Sequence, residues 1–283
     1  MMRIAILSDI HGNRIALDAV LADIEAQGGV DATWILGDFC ALGPQPVLAL
    51  ERIAAIPNRV MVRGNTDFYL TSGKRPGLAA DAVVGDPTRL ELYAEIRASF
   101  GWTLGAVTTT GWLPFLQELP VEQRATLPDG THVLLVHASP GTDDGAGVTP
   151  VTADADLRQL CQGCTADLVL VGHTHVPVDR SLTLANGHTV RVINPASVSN
   201  PRLPSLHASY GLLTGNEQGY DYQRREVSWD RQAILDMMDE VGFPGTGHVR
   251  SYLLGHDVPD YLRAQGNGGM AEWRNCRLAL TAN

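Results

Sequence analysis

Residues 4–11 read IAILSDIH, a run of four apolar residues that ends in two metal-type donors, Asp9 and His11. An apolar run without polar alternation marks a strand buried on both faces rather than a surface hairpin. The pattern returns four times. TWILGD (33–38) ends in Asp38, RVMVRGN (59–65) in Asn65, HVLLVH (132–137) in His137, and LVLVGHTH (168–175) in His173 and His175. In an open α/β sheet, ligands bind in the crevice outside the carboxyl ends of the strands. Seven N and O donors are therefore expected in one place. Gly37, Gly64 and Gly172 each stand just before a donor and Gly12 follows His11, where a backbone lacking Cβ can turn sharply and approach an ion.

The intervening sequence reads as α/β. Asn13 is placed to cap a helix carrying Leu17, Val20, Leu21 and Ile24, ended by Gly28 and Gly29. Pro46 opens a second helix that runs through Ile53. Residues 68–87 read as a long loop, followed by two helices between 88 and 118. From 122 the texture changes to short strands, with PDGT (128–131) as a hairpin turn. A loop at 138–152 and a helix over about 153–162 precede the GHTH strand. Strands near 178–184, 189–193, 208–214 and 220–227 complete two packed sheets. After Asp230 a helical stripe of Ile234, Met238 and Val241 stops at Gly242 and Pro244. The expected organisation is a domain at 1–227 with a helical extension at 228–283 that packs on it. The Gly/Asn-rich residues 265–283 are expected to be poorly ordered.

A chain of 283 residues with 45% apolar content buries a full core. Its net charge of −10 argues against a protein that binds nucleic acid by neutralising phosphates over a broad surface. No apolar run approaches membrane-spanning length and a strand begins near Arg3, so a cytoplasmic protein is expected, without membrane partners. Cys40, Cys161, Cys164 and Cys276 are too few and too unevenly spaced for a disulfide framework. The CxxC at 161–164 has no second ligand pair at zinc-finger spacing, and the thiols read as reduced and incidental. His132, His188, His207, His248 and His256 lack the strand-end context and read as surface or satisfied core residues.

Mixed carboxylate, imidazole and amide-oxygen donors suit a divalent first-row ion such as Mn²⁺, Fe²⁺, Zn²⁺ or Ni²⁺. A pair of such ions needs a bridging carboxylate, for which Asp38 is the candidate, and can share a hydroxide for in-line attack on phosphorus. The ordered blocks DxH (9–11), GD (37–38), GN (64–65), His137 and GHTH (172–175) resemble the calcineurin-like metallophosphoesterase signature over roughly residues 3–227. The resemblance implies a four-layer αββα sandwich. It also implies that Asp9, His11 and His175 hold one metal, that Asn65, His137 and His173 hold the other, and that Asp38 bridges. Asp38, Asn65 and His137 are then the catalytic candidates, and the substrate is a phosphodiester or a small phosphomonoester. Protein Ser/Thr phosphatase, dinucleoside polyphosphate hydrolase and a non-catalytic scaffold on the same fold stand as alternatives. Homo-oligomerisation is left open.

INPASVSNPR (193–202) is similar to the NPGS block of the small prokaryotic phosphodiesterase branch, with Ala196 in place of Gly. Arg202 is the candidate phosphate ligand there, because a guanidinium matches phosphate bidentately; a surface arginine in a proline-rich loop is the plainer reading. A larger departure is GNTD at 64–67. Thr66 stands where many members of the family have a histidine resembling a general acid, which puts poor leaving groups in doubt. Asp67 is expected to orient the Asn65 loop.

Overall fold

The structure, a computed structural model, describes residues 1–74 and 80–263. In chain order the first elements are β1 (Met2–Leu7), α1 (Arg14–Ala26), β2 (Ala32–Ile35), α2 (Pro46–Ala54), β3 (Arg59–Met61) and α3 (Asn65–Ser72). Then come α4 (Ala80–Gly85), α5 (Leu90–Thr109), α6 (Leu113–Gln117), β4 (Glu122–Thr126), β5 (His132–Val136), α7 (Asp154–Leu160) and β6 (Leu168–Leu170). The chain continues through β7 (Val178–Thr183), β8 (Thr189–Asn194), β9 (Ala208–Asn216) and β10 (Gly219–Val227) to α8 (Arg231–Glu240), α9 (Thr246–Leu253) and α10 (Asp260–Arg263).

The strands form two five-stranded mixed sheets, ordered β10-β9-β1-β2-β3 and β4-β5-β6-β8-β7. In the first, β1, β2 and β3 run parallel; in the second, β5, β6 and β8 do. The unbroken apolar runs are explained by what lies on each face. On β1, Ile4 and Ile6 enter the core between the sheets, while Ala5 and Leu7 enter the core under α1, α2 and α5. On β5, Val133 and Leu135 face the first sheet, while Leu134 and Val136 face the core that includes Leu157 of α7. Residues alternate sides along a strand, so both sides must be apolar. Truncating Ile6, which is fully buried, to Ala would cost about 2–5 kcal/mol. The result is the expected four-layer αββα sandwich, with α7 on the outer face of the second sheet.

Local signals account for the ends of the elements. The Asn13 side chain accepts from the Ala16 N–H at 3.0 Å, capping α1, and Pro46 stands at the first position of α2. The PDGT turn joins β4 to β5 with Thr126 opposite His132. Tyr210 and Arg225 both bind the Asp23 carboxylate, at 2.8 Å, tying α1 to β9 and β10.

The stretch 68–87 departs from the long loop expected. Its described residues include the greater part of α3 and all of α4. The Gly64 N–H donates to the Asp67 carboxylate at 2.8 Å, satisfying an N-terminal donor of α3, and Tyr69 and Leu70 bury against the helix-side core. Three consecutive apolar residues, Phe68, Tyr69 and Leu70, in one short helix give no period to read, so the signal lay in the Asp67 cap. Residues 265–283 lie outside the described residues.

Beyond β10, Ile234, Leu235 and Met238 of α8, Val249 and Leu253 of α9 and Phe243 of the turn between them form one apolar cluster with Ile15, Leu42 and Trp102 of the preceding chain. The Phe243 ring meets the Trp102 ring edge-on at 6.1 Å. Among the described residues, no helix is long and apolar enough to cross a membrane.

Candidate metal centre

The parallel strands of both sheets point their carboxyl ends at one crevice, and all seven donors meet there. Asp9 and His11 follow β1, Asp38 follows β2, Asn65 follows β3, His137 follows β5, and His173 and His175 follow β6. Asp9 Oδ1 lies 3.1 Å from His175 Nε2 and 3.8 Å from His11 Nε2. Asn65 Oδ1 lies 3.1 Å from His137 Nε2 and 3.1 Å from His173 Nδ1. Between these groups, Asp38 Oδ2 is 3.6 Å from His11 Nε2 and 3.5 Å from His137 Nε2. Two triads, Asp9–His11–His175 and Asp9–Asp38–His137, have ligand atoms close enough together to hold a metal ion.

Each imidazole is set by its far nitrogen. His11 Nδ1 donates to Ala41 O at 3.0 Å, His137 Nδ1 to Leu36 O at 2.5 Å, His173 Nε2 to Gly145 O at 2.9 Å, and His175 Nδ1 to Asn200 O at 3.0 Å. A carbonyl can only accept, so the outer nitrogen of each carries a proton, and the inner one has its lone pair free for a metal once any second proton has left. The inner Nε2 atoms of His11 and His175 are 3.1 Å apart. Among the described residues, Asp9 Oδ1 is buried with no hydrogen-bond donor except a protonated His175, whose Nε2 lies 3.1 Å away. Facing lone pairs and an orphaned carboxylate oxygen both call for positive charge, which the donor set suits a divalent cation to supply.

The site is also a place of backbone strain. Asp9, His11, Asp38, His173 and His175 all have positive φ, between 46° and 69°. Non-glycine residues in that region cost about 1–3 kcal/mol each and persist where the surroundings dictate them. Ala196, the position of the glycine departure, also has positive φ, 70°. A Cβ on Gly64 would meet Asp38 Oδ1 at 2.0 Å, and one on Gly172 would meet Ser8 Oγ at 1.8 Å. These two glycines are thus needed for close approach.

Asp67 is fully buried and accepts from the N–H groups of Asp38, Phe39 and Gly64 at 2.8, 3.1 and 2.8 Å. It locks the Asp38 turn to the Asn65 turn. Burial and the Asp38 charge push its pKa up to about 7, against the pull of its backbone donors. Burial also pushes Asp38 upward, but the His137 imidazole more than offsets it and holds the carboxyl below its usual range. Thr66 is buried; its N–H donates to Asp38 Oδ1 at 3.0 Å, and its hydroxyl has no hydrogen-bond partner. Cys40 is buried, and burial pushes its thiol well up, which fits a small filler rather than a nucleophile.

Arg202 follows β8 on the NPAS loop, with its N–H donating to His175 O at 3.0 Å. Two further segments bear on the site. The 138–148 loop clamps His173 through Gly145 O, and Tyr69 donates to Asp144 at 2.6 Å. His248, read as a surface or satisfied core residue, lies on α9, where burial pushes its pKa below the usual imidazole value against the pull of Glu95. The packing of α9 on α5, through Glu95 and the N–H of His248 at 2.7 Å, holds it there.

A family model for calcineurin-like phosphoesterases matches residues 2–177. An uncharacterised protein of Methanocaldococcus jannaschii is 29% identical over 239 residues, covering 80% of this chain and 88% of its own. The symmetrical bis(5'-nucleosyl)-tetraphosphatase of Pectobacterium carotovorum is 33% identical over 66 residues, 23% of this chain and 24% of that protein. Among solved structures, a metallophosphoesterase from Sphaerobacter thermophilus is similar with a TM-score of 0.65 and 26% identity, covering 90% of this chain and 98% of that one. A hypothetical protein from Pyrococcus horikoshii shares the fold with a TM-score of 0.70 at 21% identity, covering 89% and 98%.

Proposed function

The chain belongs to the calcineurin-like phosphoesterase family, and from that premise we propose that it is a dinuclear metal-dependent phosphoesterase acting on phosphodiesters or small phosphomonoesters. The observation that carries the reading is Asp38 Oδ2, set between His11 Nε2 and His137 Nε2 beside the orphaned Asp9 Oδ1. Asp9, His11 and His175 would hold one ion and Asn65, His137 and His173 the other, with Asp38 shared. When bound, such a pair supplies Lewis acidity and an activated water for attack at phosphorus. Mn²⁺, Fe²⁺, Zn²⁺ and Ni²⁺ all suit these donors.

The protein's own groups do the rest. The outer hydrogen bonds of the four histidines fix which nitrogen faces the site, and Asp67 holds the Asp38 and Asn65 turns in register. Arg202, next to the backbone of His175, binds a phosphate oxygen of the substrate. The reading places the protein in the cytoplasm, where reduced thiols such as the buried, free Cys40, Cys161 and Cys164 persist.

A second reading, hydrolysis of dinucleoside polyphosphates, is favoured by the 66-residue similarity to the tetraphosphatases. It also agrees with Thr66, since a departing phosphate is acidic and leaves without a proton donor. Hydrolysis of an aryl phosphodiester, an aryl phosphomonoester and a dinucleoside tetraphosphate by protein loaded with each metal decides between the readings. A metal-loaded protein inert to all three is a scaffold and not an enzyme.

A further inference from the structure

The α9–α10 turn reaches back over the site, and its anchoring is visible. Val258 and Leu262 bury against Val176, the residue after the GHTH block. The Arg263 side chain closes the turn, donating to Val258 O at 2.9 Å and Gly255 O at 2.7 Å. This packing sets Asp257 over Arg202. Arg202 Nε donates to the backbone carbonyl of Asp257 at 3.0 Å, and the carboxylate Oδ2, buried without a hydrogen bond of its own, lies 3.0 Å from the same nitrogen as an ion pair. Among the described residues, Nη1 and Nη2 of Arg202 make no hydrogen bond, and its side chain is 37% exposed. The guanidinium is thus held by one edge and open at the other. The backbone N–H of Arg202 donates to His175 O at 3.0 Å, which ties this residue to the GHTH block.

We propose that the carboxylate of Asp257 is the positioning group for Arg202, holding the Nε edge of the guanidinium by ion pairing so that the two terminal nitrogens meet the oxygens of a substrate phosphate next to His175. The C-terminal helices, which lie outside the 2–177 family match, thereby set the affinity of the site for phosphate. The proposal rests on the reading of Arg202 as a phosphate ligand. A guanidinium binds phosphate well because its planar fork is fixed before the ligand arrives. An unanchored arginine must give up rotamer freedom on binding, so the loss of Asp257 weakens binding rather than chemistry.

The test uses the full-length, metal-loaded protein with p-nitrophenyl phosphate as substrate and inorganic phosphate as competitor. Asp257→Ala and Arg202→Ala are expected to raise both KM and the phosphate inhibition constant by about tenfold with kcat little changed. The double variant should bind phosphate no more weakly than Arg202→Ala alone, and Asp257→Glu should recover part of the loss. Asp257→Asn, near-isosteric, serves if the alanine variant does not fold, and should weaken phosphate binding in the same direction. The rise in Tm on adding phosphate provides a readout without turnover. Unchanged phosphate binding in the Asp257 variants, or additive losses in the double variant, overturns the proposal. A wild type that hydrolyses no phosphoester overturns the proposed function instead, and the phosphate-induced Tm shift still tests the Arg202–Asp257 relation by itself.

Discussion

The Nε2 atoms of His11 and His175 face each other across 3.1 Å, each with its Nδ1 proton given to a backbone carbonyl. Without metal, protons must supply the charge that the Asp9 and Asp38 carboxylates demand. Burial pushes the His137 pKa down, but Asp38 outweighs it and lifts the value to about 10; His175 is lifted in the same way by Asp9. His137 is thus protonated at neutral pH in the metal-free protein and His175 is shifted in the same direction, so metal loading must expel protons, and affinity must fall as pH falls. Calorimetric titration of metal into the metal-free protein in buffers of different ionisation enthalpy counts them. A heat of binding that does not depend on the buffer would show that the histidines are already neutral.

Asp38→Asn should remove most activity and lower occupancy at both metal positions, since one oxygen lies between the His11 and His137 nitrogens. His11→Ala should mainly deplete one. Metal analysis of the purified variants separates the two patterns. Two tightly held ions and near-normal turnover in Asp38→Asn would mean that the carboxylate is not shared.

Much of the fold was legible because it follows from short-range rules. An apolar run such as Ile4–Leu7 has to be buried on both faces, and four such runs, at 4–7, 34–36, 133–136 and 168–171, each leading to a donor, leave few arrangements besides facing sheets. The gathering of the seven donors followed from the parallel strand ends. What was not legible depended on tertiary contact. The positive φ at Asp9 or His175 leaves no mark in composition. The orientation of each imidazole depends on a carbonyl far away in sequence, as for His137 and Leu36. The Asp257–Arg202 pair spans 55 positions, and only the docking of Val258 on Val176 brings it about.

The helices after Ser228 should not fold alone. Their apolar stripe is completed by Trp102, Ile15 and Leu42, and a helical segment with one apolar face has no core of its own. A fragment of residues 228–283 is expected to show no cooperative melt, and a sigmoidal unfolding transition from it would count against this. In the full chain, Phe243, 2% exposed, is the natural probe: Phe243→Ala should cost about 3–5 kcal/mol, read from the shift in denaturant midpoint.

Thr66 yields the sharpest kinetic expectation. Its side chain is buried, its hydroxyl has no partner, and its N–H is committed to Asp38 Oδ1. A threonine hydroxyl does not release a proton near neutral pH, whereas a positioned general acid contributes about 10²- to 10⁴-fold in rate. Esters with acidic leaving groups, such as aryl phosphates, should therefore be hydrolysed much faster than alkyl esters, whose alkoxide needs a proton as it departs. Thr66→His beside Asp67 should raise alkyl-ester turnover more than aryl-ester turnover; a melting curve confirms that the larger ring is accommodated, and Thr66→Ala controls for loss of the hydroxyl. The measurement is the slope of log rate against leaving-group pKa in wild type and variants. A flat slope in wild type, with chemistry rate-limiting, would mean that another group protonates the leaving oxygen.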